Sequence, residues 1–261
     1  MQLSYAELLE PLKLMGAQFE LSAVGAPVRV IAGQILTPIE YAPGFASAQV
    51  KAALILASMA SGISLDLYES NTTRDHTERL MQGFGVDLKR EGRSLQLAAG
   101  ARLKAQNIQI PADLSFASAF VLAASLIPQT ELIIERTGVN PTRQQLLRIL
   151  SRMGATYEFL NESSSNGEPI ADIRVQSTQL VGVDCTSTEL AGLGDDLPLL
   201  LAAMSCAEGA SELSGVDRLP QRHQQLLEQL LSELQKLGVG VERLAGNVKI
   251  VPTEIAGGIE L

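Results

Sequence analysis

The sequence predicts an α/β protein built from repeated units of strands and amphipathic helices, with further helices buried between them. The first observation is that a helix ending in glycine and continuing into a strand recurs four times within the 261 residues. The second is that helices without a polar face alternate with these amphipathic ones. The third is a composition of 46% apolar residues, which is enough to build sizeable cores in a chain of this length.

The four amphipathic helices each stop at a glycine. They are predicted over residues 8–15, 78–84, 144–153 and 224–237, and the glycines that follow are Gly16, Gly85, Gly154 and Gly238. A glycine adopts the left-handed conformation after a helix at the lowest cost because it has no Cβ. The residues that follow each glycine alternate between apolar and polar, as half-buried strands do. The sequence therefore contains an internal repeat.

Three other helices, predicted over residues 47–61, 115–127 and 197–207, are apolar on nearly all sides. We expect other elements to cover them, so that several units pack around a shared core of buried helices. Strands are predicted after the first two, over residues 63–68 and 131–135, whereas the polar composition of residues 161–169 predicts a loop or insertion. Two domains, 1–112 and 113–261, are expected to meet near residues 111–115.

Charge and composition narrow the classes of partner. The net charge is −9 with scattered Lys and Arg, which disfavours nucleic acid. The longest apolar run, residues 52–60, is shorter than the roughly 20 residues that span a bilayer, so we expect a cytoplasmic protein. Cys185 and Cys206 lack metal-ligand spacing and are interpreted as reduced and structural. Two histidines in the whole chain disfavour a multi-histidine metal site.

The start of the helix at residue 47 is a candidate anion site. Ser47 is predicted to cap this helix, and the free N–H groups of its first turn, at the positive end of the helix dipole, suit a phosphate. Gln49 is long enough to reach a neutral oxygen of a ligand. A capped core helix with a solvated glutamine explains the same residues without a ligand.

Residues 73–79 (Thr-Arg-Asp-His-Thr-Glu-Arg) open the next amphipathic helix. A capping box of Thr72 with Asp75 and an i,i+4 ion pair of Asp75 with Arg79 account for three residues of this region without a ligand. Arg74 is left over, because a cation at a helix N-terminus opposes the dipole by a few tenths of a kcal/mol. An anion beside its guanidinium would make charge-assisted contacts worth about 1.5 to 3 kcal/mol.

Two adjacent acids precede the third apolar helix. Asp196 is predicted to cap this helix, with Pro198 in its first turn. One acid is enough for the cap, so Asp195 is a candidate base for a substrate hydroxyl. An extra acid near a helix N-terminus is also stabilising without any ligand.

Together these motifs resemble the enolpyruvyl transferases, and among them the enolpyruvylshikimate-phosphate synthase family. Residues 47–51 (Ser-Ala-Gln-Val-Lys) look like that family's phosphate-binding helix start, residues 73–78 like its Ser-Arg-Asp-His-Thr-Glu segment, and residues 195–198 like its Asp-Glu-Ile-Pro. The helices also resemble the family's βαβαββ units over essentially the whole chain. The resemblance implies inside-out α/β barrel-like domains with buried helices, so 1–112 and 113–261 would each be a partial domain of this kind.

The resemblance also implies a reaction, the transfer of an enolpyruvyl group from phosphoenolpyruvate to the 5-hydroxyl of shikimate 3-phosphate. This step belongs to chorismate and aromatic amino-acid biosynthesis and uses no metal or other cofactor. Asp195 would be the base at the 5-hydroxyl. The partners would be these small molecules, with neither nucleic acid nor a membrane. The residues that would bind the phosphorylated shikimate are Ser47, Ala48, Gln49, Thr73 and Arg74.

The sequence departs from the family pattern on the phosphoenolpyruvate side. Residues 218–224 read Arg-Leu-Pro-Gln-Arg-His-Gln in place of Arg-Val-Lys-Glu-Ser-Asp-Arg, and the family's Lys-Ser-rich upstream segment and Asp-His-Arg downstream motif are not found. We therefore expect weak ligand binding, weak or no synthase activity from this chain alone, and self-association or a complementing chain. The alternatives are a central fragment of a synthase, a non-catalytic binding paralogue on the same fold, and a transferase for a nucleotide sugar.

Overall fold

The computed structural model describes residues 5–21, 28–42 and 46–254. The chain divides into two compact units: residues 1–109 with 165–168 form unit 1, and residues 110–164 with 169–261 form unit 2. Each unit has a hydrophobic core of its own. The assignment of 1–112 and 113–261 as partial enzyme domains stays a prediction. The loop at Pro43 and Gly44, which the sequence places before the first apolar helix, lies outside the described residues.

The described residues of unit 1 form three helices and two sheets. Strands β1 and β2 form an antiparallel pair, and the second sheet has the order β3-β4-β6-β5, in which only β3 and β4 are parallel. The elements are α1 (Tyr5–Leu14), β1 (Gln18–Leu21), β2 (Val28–Ile31), β3 (Ile39–Tyr41), α2 (Ala48–Ser61), β4 (Leu65–Tyr68), α3 (His76–Gly83), β5 (Leu88–Glu91) and β6 (Ser94–Leu97).

The part of unit 2 that the structure describes also forms two sheets. One has the order β7-β9-β8, and the other has the order β10-β11-β13-β12, in which only β10 and β11 are parallel. The elements are α4 (Leu114–Leu126), β7 (Glu131–Gly138), α5 (Gln145–Arg152), β8 (Thr156–Ser165), β9 (Glu168–Gln176), β10 (Asp184–Thr186), α6 (Ser187–Leu193), α7 (Leu197–Ser205), β11 (Ser211–Ser214), α8 (Gln221–Lys236), β12 (Gly240–Leu244) and β13 (Asn247–Val251).

The same topology occurs in both units. The series β3-α2-β4-α3-β5-β6 and the series from β10 to β13 each combine a parallel pair, linked through an apolar helix, with an antiparallel pair that follows an amphipathic helix. The strand order within the two sheets is identical. The predicted α/β fold built from βαβαββ repeats is therefore confirmed.

The predicted glycine ends of the four amphipathic helices are also confirmed. All four glycines have a positive φ, between 81° and 104°, and a strand begins within a few residues of each. A left-handed residue turns the chain sharply out of the helix and toward the strand that follows. Of the four helices, α3 and α8 also pack against that strand. The four glycines are Gly16, Gly85, Gly154 and Gly238.

The described residues cover the three apolar helices to different extents. Each packs one side into the core of its unit, where Leu54 of α2, Val121 of α4 and Leu200 of α7 are fully buried. The opposite sides of α2 and α4 are exposed, as shown by Leu56 at 51% and Phe116 at 77% exposure, whereas six of the nine residues of α7 are buried. The expectation of buried helices is thus met on one side only for α2 and α4, and over most of α7. An apolar surface shows that burial is favourable, but it does not by itself supply a covering element.

The prediction of a loop over residues 161–169 is wrong. Strands β8 and β9 occupy this region as neighbours in one sheet and are joined by Asn166 and Gly167, both of which have positive φ. Asn-Gly with two positive φ angles is the preferred two-residue hairpin turn. The polar composition is compatible with strands here because residues 161–164 are exposed and residues 165, 168 and 169 are only half-buried.

The cysteines differ in environment. Both are free thiols, but only Cys185 lies in the core, where burial raises the pKa of its thiol to about 11. Cys206 is exposed, so the structural role expected for both fits Cys185 alone. Among the described residues, no helix has the length and apolar character needed to cross a membrane.

Candidate functional site

The start of α2 is built as the sequence predicts. Ser47 is extended, with φ −145° and ψ 116°, and its side-chain oxygen accepts a hydrogen bond from the backbone N–H of Val50 at 3.4 Å. The predicted cap is therefore confirmed. Ser47 and Ala48 are half-buried, and Gln49 is exposed, so its amide is accessible to a ligand.

The start of α3 differs from the prediction. The helix begins at His76, and Asp75 before it makes no side-chain capping bond, so the capping box of Thr72 with Asp75 is wrong. The predicted ion pair does form, with 3.0 Å between Asp75 Oδ1 and Arg79 Nε. This bond to Asp75 raises the pKa of the Arg79 guanidinium. The Arg79 backbone N–H also donates to the Asp75 carbonyl oxygen at 3.0 Å, so Asp75 holds this turn through both its side chain and its backbone.

Thr73 and Arg74 lie in the loop between β4 and α3, and both are half-buried. The Thr73 hydroxyl donates a hydrogen bond to Oε1 of Glu69, a carboxylate that is only 3% exposed. This contact fixes Thr73 relative to the end of β4, immediately before Arg74.

Four charged side chains form a cluster in unit 1, called here the buried ion cluster: Lys51, Glu69, Glu78 and Arg90. Lys51 Nζ lies 3.1 Å from Glu69 Oε1 and 2.7 Å from Glu78 Oε1. Arg90 Nη2 lies 3.0 Å from Glu69 Oε2, and Arg90 Nη1 lies 2.8 Å from Glu78 Oε1. The Lys51, Glu69 and Glu78 side chains are each at most 4% exposed, and two positive charges balance two negative ones. The available sequence signal was the single charge, Lys51, inside an otherwise apolar helix.

The two adjacent acids of unit 2 lie in different environments. Asp195 is exposed, as a base that meets a substrate must be, whereas Asp196 is 5% exposed. The predicted cap by Asp196 is wrong, because Asp196 precedes α7 without a side-chain capping bond. Pro198 does lie in the first turn of α7.

Asp196 turns instead toward the start of α4. Burial raises the pKa of its carboxyl, and this shift is partly opposed by a hydrogen bond with Ser115 and by the nearby charge of Arg143. An Arg143 guanidinium nitrogen donates to the Ser115 hydroxyl. The side chains of Asp196, Ser115 and Arg143 therefore form one polar group next to Asp195. Asp113 caps α4 by accepting from the Ser115 N–H at 2.8 Å. The sequence interpretation missed Ser115 and Arg143 because they lie far from Asp196 along the chain.

The segment that departs from the family pattern begins α8. His223 is buried, at 6% exposure, and burial and the charge of Arg222 lower the pKa of its imidazole, while Asp195 acts in the opposite direction. The neutral ring therefore predominates at pH 7. His223 is a functional candidate that the sequence interpretation did not single out. Across the described ranges, no group of three or more His, Cys, Asp or Glu residues is arranged to hold a metal ion.

The predicted site residues thus fall into two groups. Ser47, Ala48 and Gln49 at the start of α2, and Thr73 and Arg74 before α3, belong to unit 1, where the buried ion cluster links the two segments. Asp195 belongs to unit 2. The roles of all six residues stay predictions.

Comparisons with known proteins agree with the motifs. The family model described as EPSP synthase (3-phosphoshikimate 1-carboxyvinyltransferase) matches residues 5–259. The 3-phosphoshikimate 1-carboxyvinyltransferase of Halorhodospira halophila is 41% identical over 251 residues, which are 95% of this chain and 56% of that relative. The protein of the same name from Carboxydothermus hydrogenoformans is 36% identical, over 95% of this chain and 59% of its own length. The chain therefore spans a little over half the length of these relatives.

Solved structures show the same similarity. An EPSP synthase from Acinetobacter baumannii superimposes with a TM-score of 0.82 at 34% identity, over 97% of this chain and 57% of that one. The enolpyruvyl transferase NikO from Streptomyces tendae superimposes with a TM-score of 0.68 at 16% identity, over 95% of this chain and 59% of that one, which shows a shared fold alone. The inside-out α/β fold expected from the motifs is confirmed by these neighbours.

Proposed function

The chain belongs to the EPSP synthase family, and from this premise we propose that it carries the shikimate 3-phosphate-binding part of a 3-phosphoshikimate 1-carboxyvinyltransferase. The observation that supports the proposal most directly is the pair of helix starts in unit 1. The capped N-terminus of α2 and the loop that carries Arg74 are linked through Lys51 and Glu69. The same contacts therefore hold the Arg74 guanidinium and the backbone N–H groups at the start of α2 in one part of the unit.

The proposed reaction joins the 5-hydroxyl oxygen of shikimate 3-phosphate to the enolpyruvyl carbon of phosphoenolpyruvate and then releases phosphate. In the proposal, the first turn of α2 and Gln49 bind the phosphorylated shikimate, while Thr73 and Arg74 contact its 3-phosphate. Backbone N–H groups at a helix start and a guanidinium are the groups that proteins use for phosphate. The names of the matched relatives support this reaction over the nucleotide-sugar and non-catalytic alternatives.

Asp195 is proposed as the base that removes the proton from the 5-hydroxyl. Its exposure suits contact with a substrate, whereas buried Asp196 is engaged by Ser115. General-base catalysis typically contributes about a hundred- to ten-thousand-fold to a rate. A cytoplasmic location is part of the same proposal, since the reaction involves small soluble metabolites.

Isothermal titration of the purified chain with shikimate 3-phosphate tests the binding proposal. We expect weak but measurable binding, and Arg74→Ala should weaken it tenfold or more, because one charge-assisted contact to phosphate is lost. Lys89→Ala is the matched control, since it removes one positive charge from an exposed position of the same unit. The control should bind within about twofold of the unchanged chain. Equal losses of affinity in the two variants would show that Arg74 contributes only through the net charge of the unit and makes no specific contact with the phosphate.

Phosphate release in the presence of both substrates tests the role of Asp195. At high protein concentration the chain should release phosphate slowly, and Asp195→Asn should lower that rate by about a hundred- to ten-thousand-fold, because asparagine cannot accept the proton. Asp184→Asn, at another exposed acid of unit 2, should leave the rate unchanged. Turnover that survives Asp195→Asn would show that another group is the base.

A further inference from the structure

One carboxylate oxygen connects the two segments proposed to bind phosphate. Oε1 of Glu69 lies 3.1 Å from Lys51 Nζ and also accepts the hydrogen bond of the Thr73 hydroxyl. Lys51 lies one turn into α2, where its backbone N–H donates to the Ser47 carbonyl oxygen at 3.0 Å. A continuous set of contacts therefore runs from Ser47 through Lys51 and Glu69 to Thr73, the neighbour of Arg74.

Because the buried ion cluster is shielded from solvent, its charged side chains have few alternative partners and keep one arrangement. Leaving a buried charge without its partner is strongly unfavourable, so the four charged groups hold one another in place. Lys51 comes from α2, Glu69 from the end of β4, Glu78 from α3 and Arg90 from β5. The cluster thus ties together the four elements that surround the proposed phosphate site. Apolar side chains of similar volume would pack these elements as well, but they would not place a carboxylate oxygen at the Thr73 hydroxyl.

The two carboxylates of the cluster differ in one respect. Glu69 and Glu78 both pair with Lys51 and with Arg90, and both are almost fully buried. Among the contacts of the described residues, only Glu69 reaches Thr73, while Glu78 binds the two cations alone. Glu78 therefore provides a natural comparison in which the ion pairs are the same and the link to the loop is missing.

From this geometry we propose that Glu69 is a positioning residue for substrate binding. It holds the Thr73 hydroxyl, and through Lys51 it sets the Arg74 loop relative to the first turn of α2, so that both segments meet a single phosphate group. Glu69 itself does not touch the substrate. The proposal rests on the proposed function for the identity of the ligand, and on the contacts alone for the ordering of the loop.

The first test compares Glu69→Gln with Glu78→Gln. Each substitution removes one carboxylate charge that pairs with both Lys51 and Arg90, so the two variants should lose thermal stability to a similar extent. Titration with shikimate 3-phosphate should separate them: Glu69→Gln should bind about tenfold more weakly than the unchanged chain, and Glu78→Gln within about threefold. Equal affinities for the two variants at equal stability would overturn the positioning role and leave a purely structural cluster.

The second test uses hydrogen exchange without any ligand. Glu69→Gln should speed exchange of the backbone amides of residues 72–75 more than Glu78→Gln does, because only Glu69 accepts the Thr73 hydrogen bond and an amide oxygen is a weaker acceptor than a carboxylate. Thr73→Val leaves all four charges paired and should lower the melting temperature less than either glutamine variant, yet show faster exchange at these amides. If the unchanged chain binds no shikimate 3-phosphate, the proposed function fails while these exchange rates still decide the positioning role. Unaltered exchange at residues 72–75 in both Glu69→Gln and Thr73→Val would overturn it.

Discussion

At the scale of single residues, burial separates side chains that the sequence presents as equivalent. Asp195 and Asp196 are adjacent acids before one helix, and the sequence identified the first as the candidate base. It could not show that the second is buried against Ser115, because that contact depends on tertiary packing of α4. For the same reason Ser47 was correctly predicted as a cap, a local feature, whereas Asp196 was not.

The burial of Asp196 leads to a pH-dependent prediction. Its carboxyl pKa is raised above the ordinary value of 3.8, mainly by burial, so ionisation is less favourable in the folded chain than in the unfolded one. The unfavourable contribution is absent below about pH 3.8, grows as the pH rises through the folded-state pKa, and is constant above it. Asp196→Asn should therefore raise the melting temperature at neutral pH, by about 2 to 4 °C for each kcal/mol.

Circular dichroism melts from pH 4 to pH 8 measure this difference. The gap between Asp196→Asn and the unchanged chain should widen with pH and then level off. Asp184→Asn is the control, because it changes an exposed acid of the same unit and should change the melting temperature little. A gap that stays constant over the whole range would mean that the stability difference does not come from ionisation of Asp196.

At the scale of secondary-structure elements, the sequence was most informative where a local conformation requires a particular residue type. The four glycine ends were predictable because only a left-handed residue closes the helix in that way. The β8–β9 hairpin was not predicted although Asn166 and Gly167 form an equally specific turn pair, because the polar residues around them are also typical of a loop. The buried ion cluster could not be predicted, because its members come from four elements and no local period brings them together.

The apolar helices show a limit of a different kind. The absence of a polar face on α2, α4 and α7 correctly indicated that each contributes to a core. It did not indicate which side would be covered, since a helix that is apolar all round has no directional pattern. Leu56 and Phe116 are exposed for this reason, and their positions became evident only from the folded chain.

At the scale of the whole molecule, residues 5–21, 28–42 and 46–254 form two hydrophobic cores. One lies within unit 1 and includes Leu54 of α2, and the other lies within unit 2 and includes Leu200 of α7. The core of unit 2 draws side chains from the five helices α4 to α8, and it is the larger of the two. A chain with independent cores need not unfold in one step.

We therefore predict that calorimetry resolves two unfolding transitions and that single core substitutions move them separately. Leu54 and Leu200 are both fully buried, and replacing either by alanine should cost about 2 to 5 kcal/mol through lost burial and the cavity that remains. Leu54→Ala should lower only the transition of unit 1, and Leu200→Ala only that of unit 2. Leu244→Ala removes the same methyl groups from a position that is 52% exposed and should move neither transition appreciably. A single transition shifted equally by both core variants would show instead that the two units unfold as one cooperative structure, in which case loosening the buried ion cluster of unit 1 would also destabilise the surroundings of Asp195.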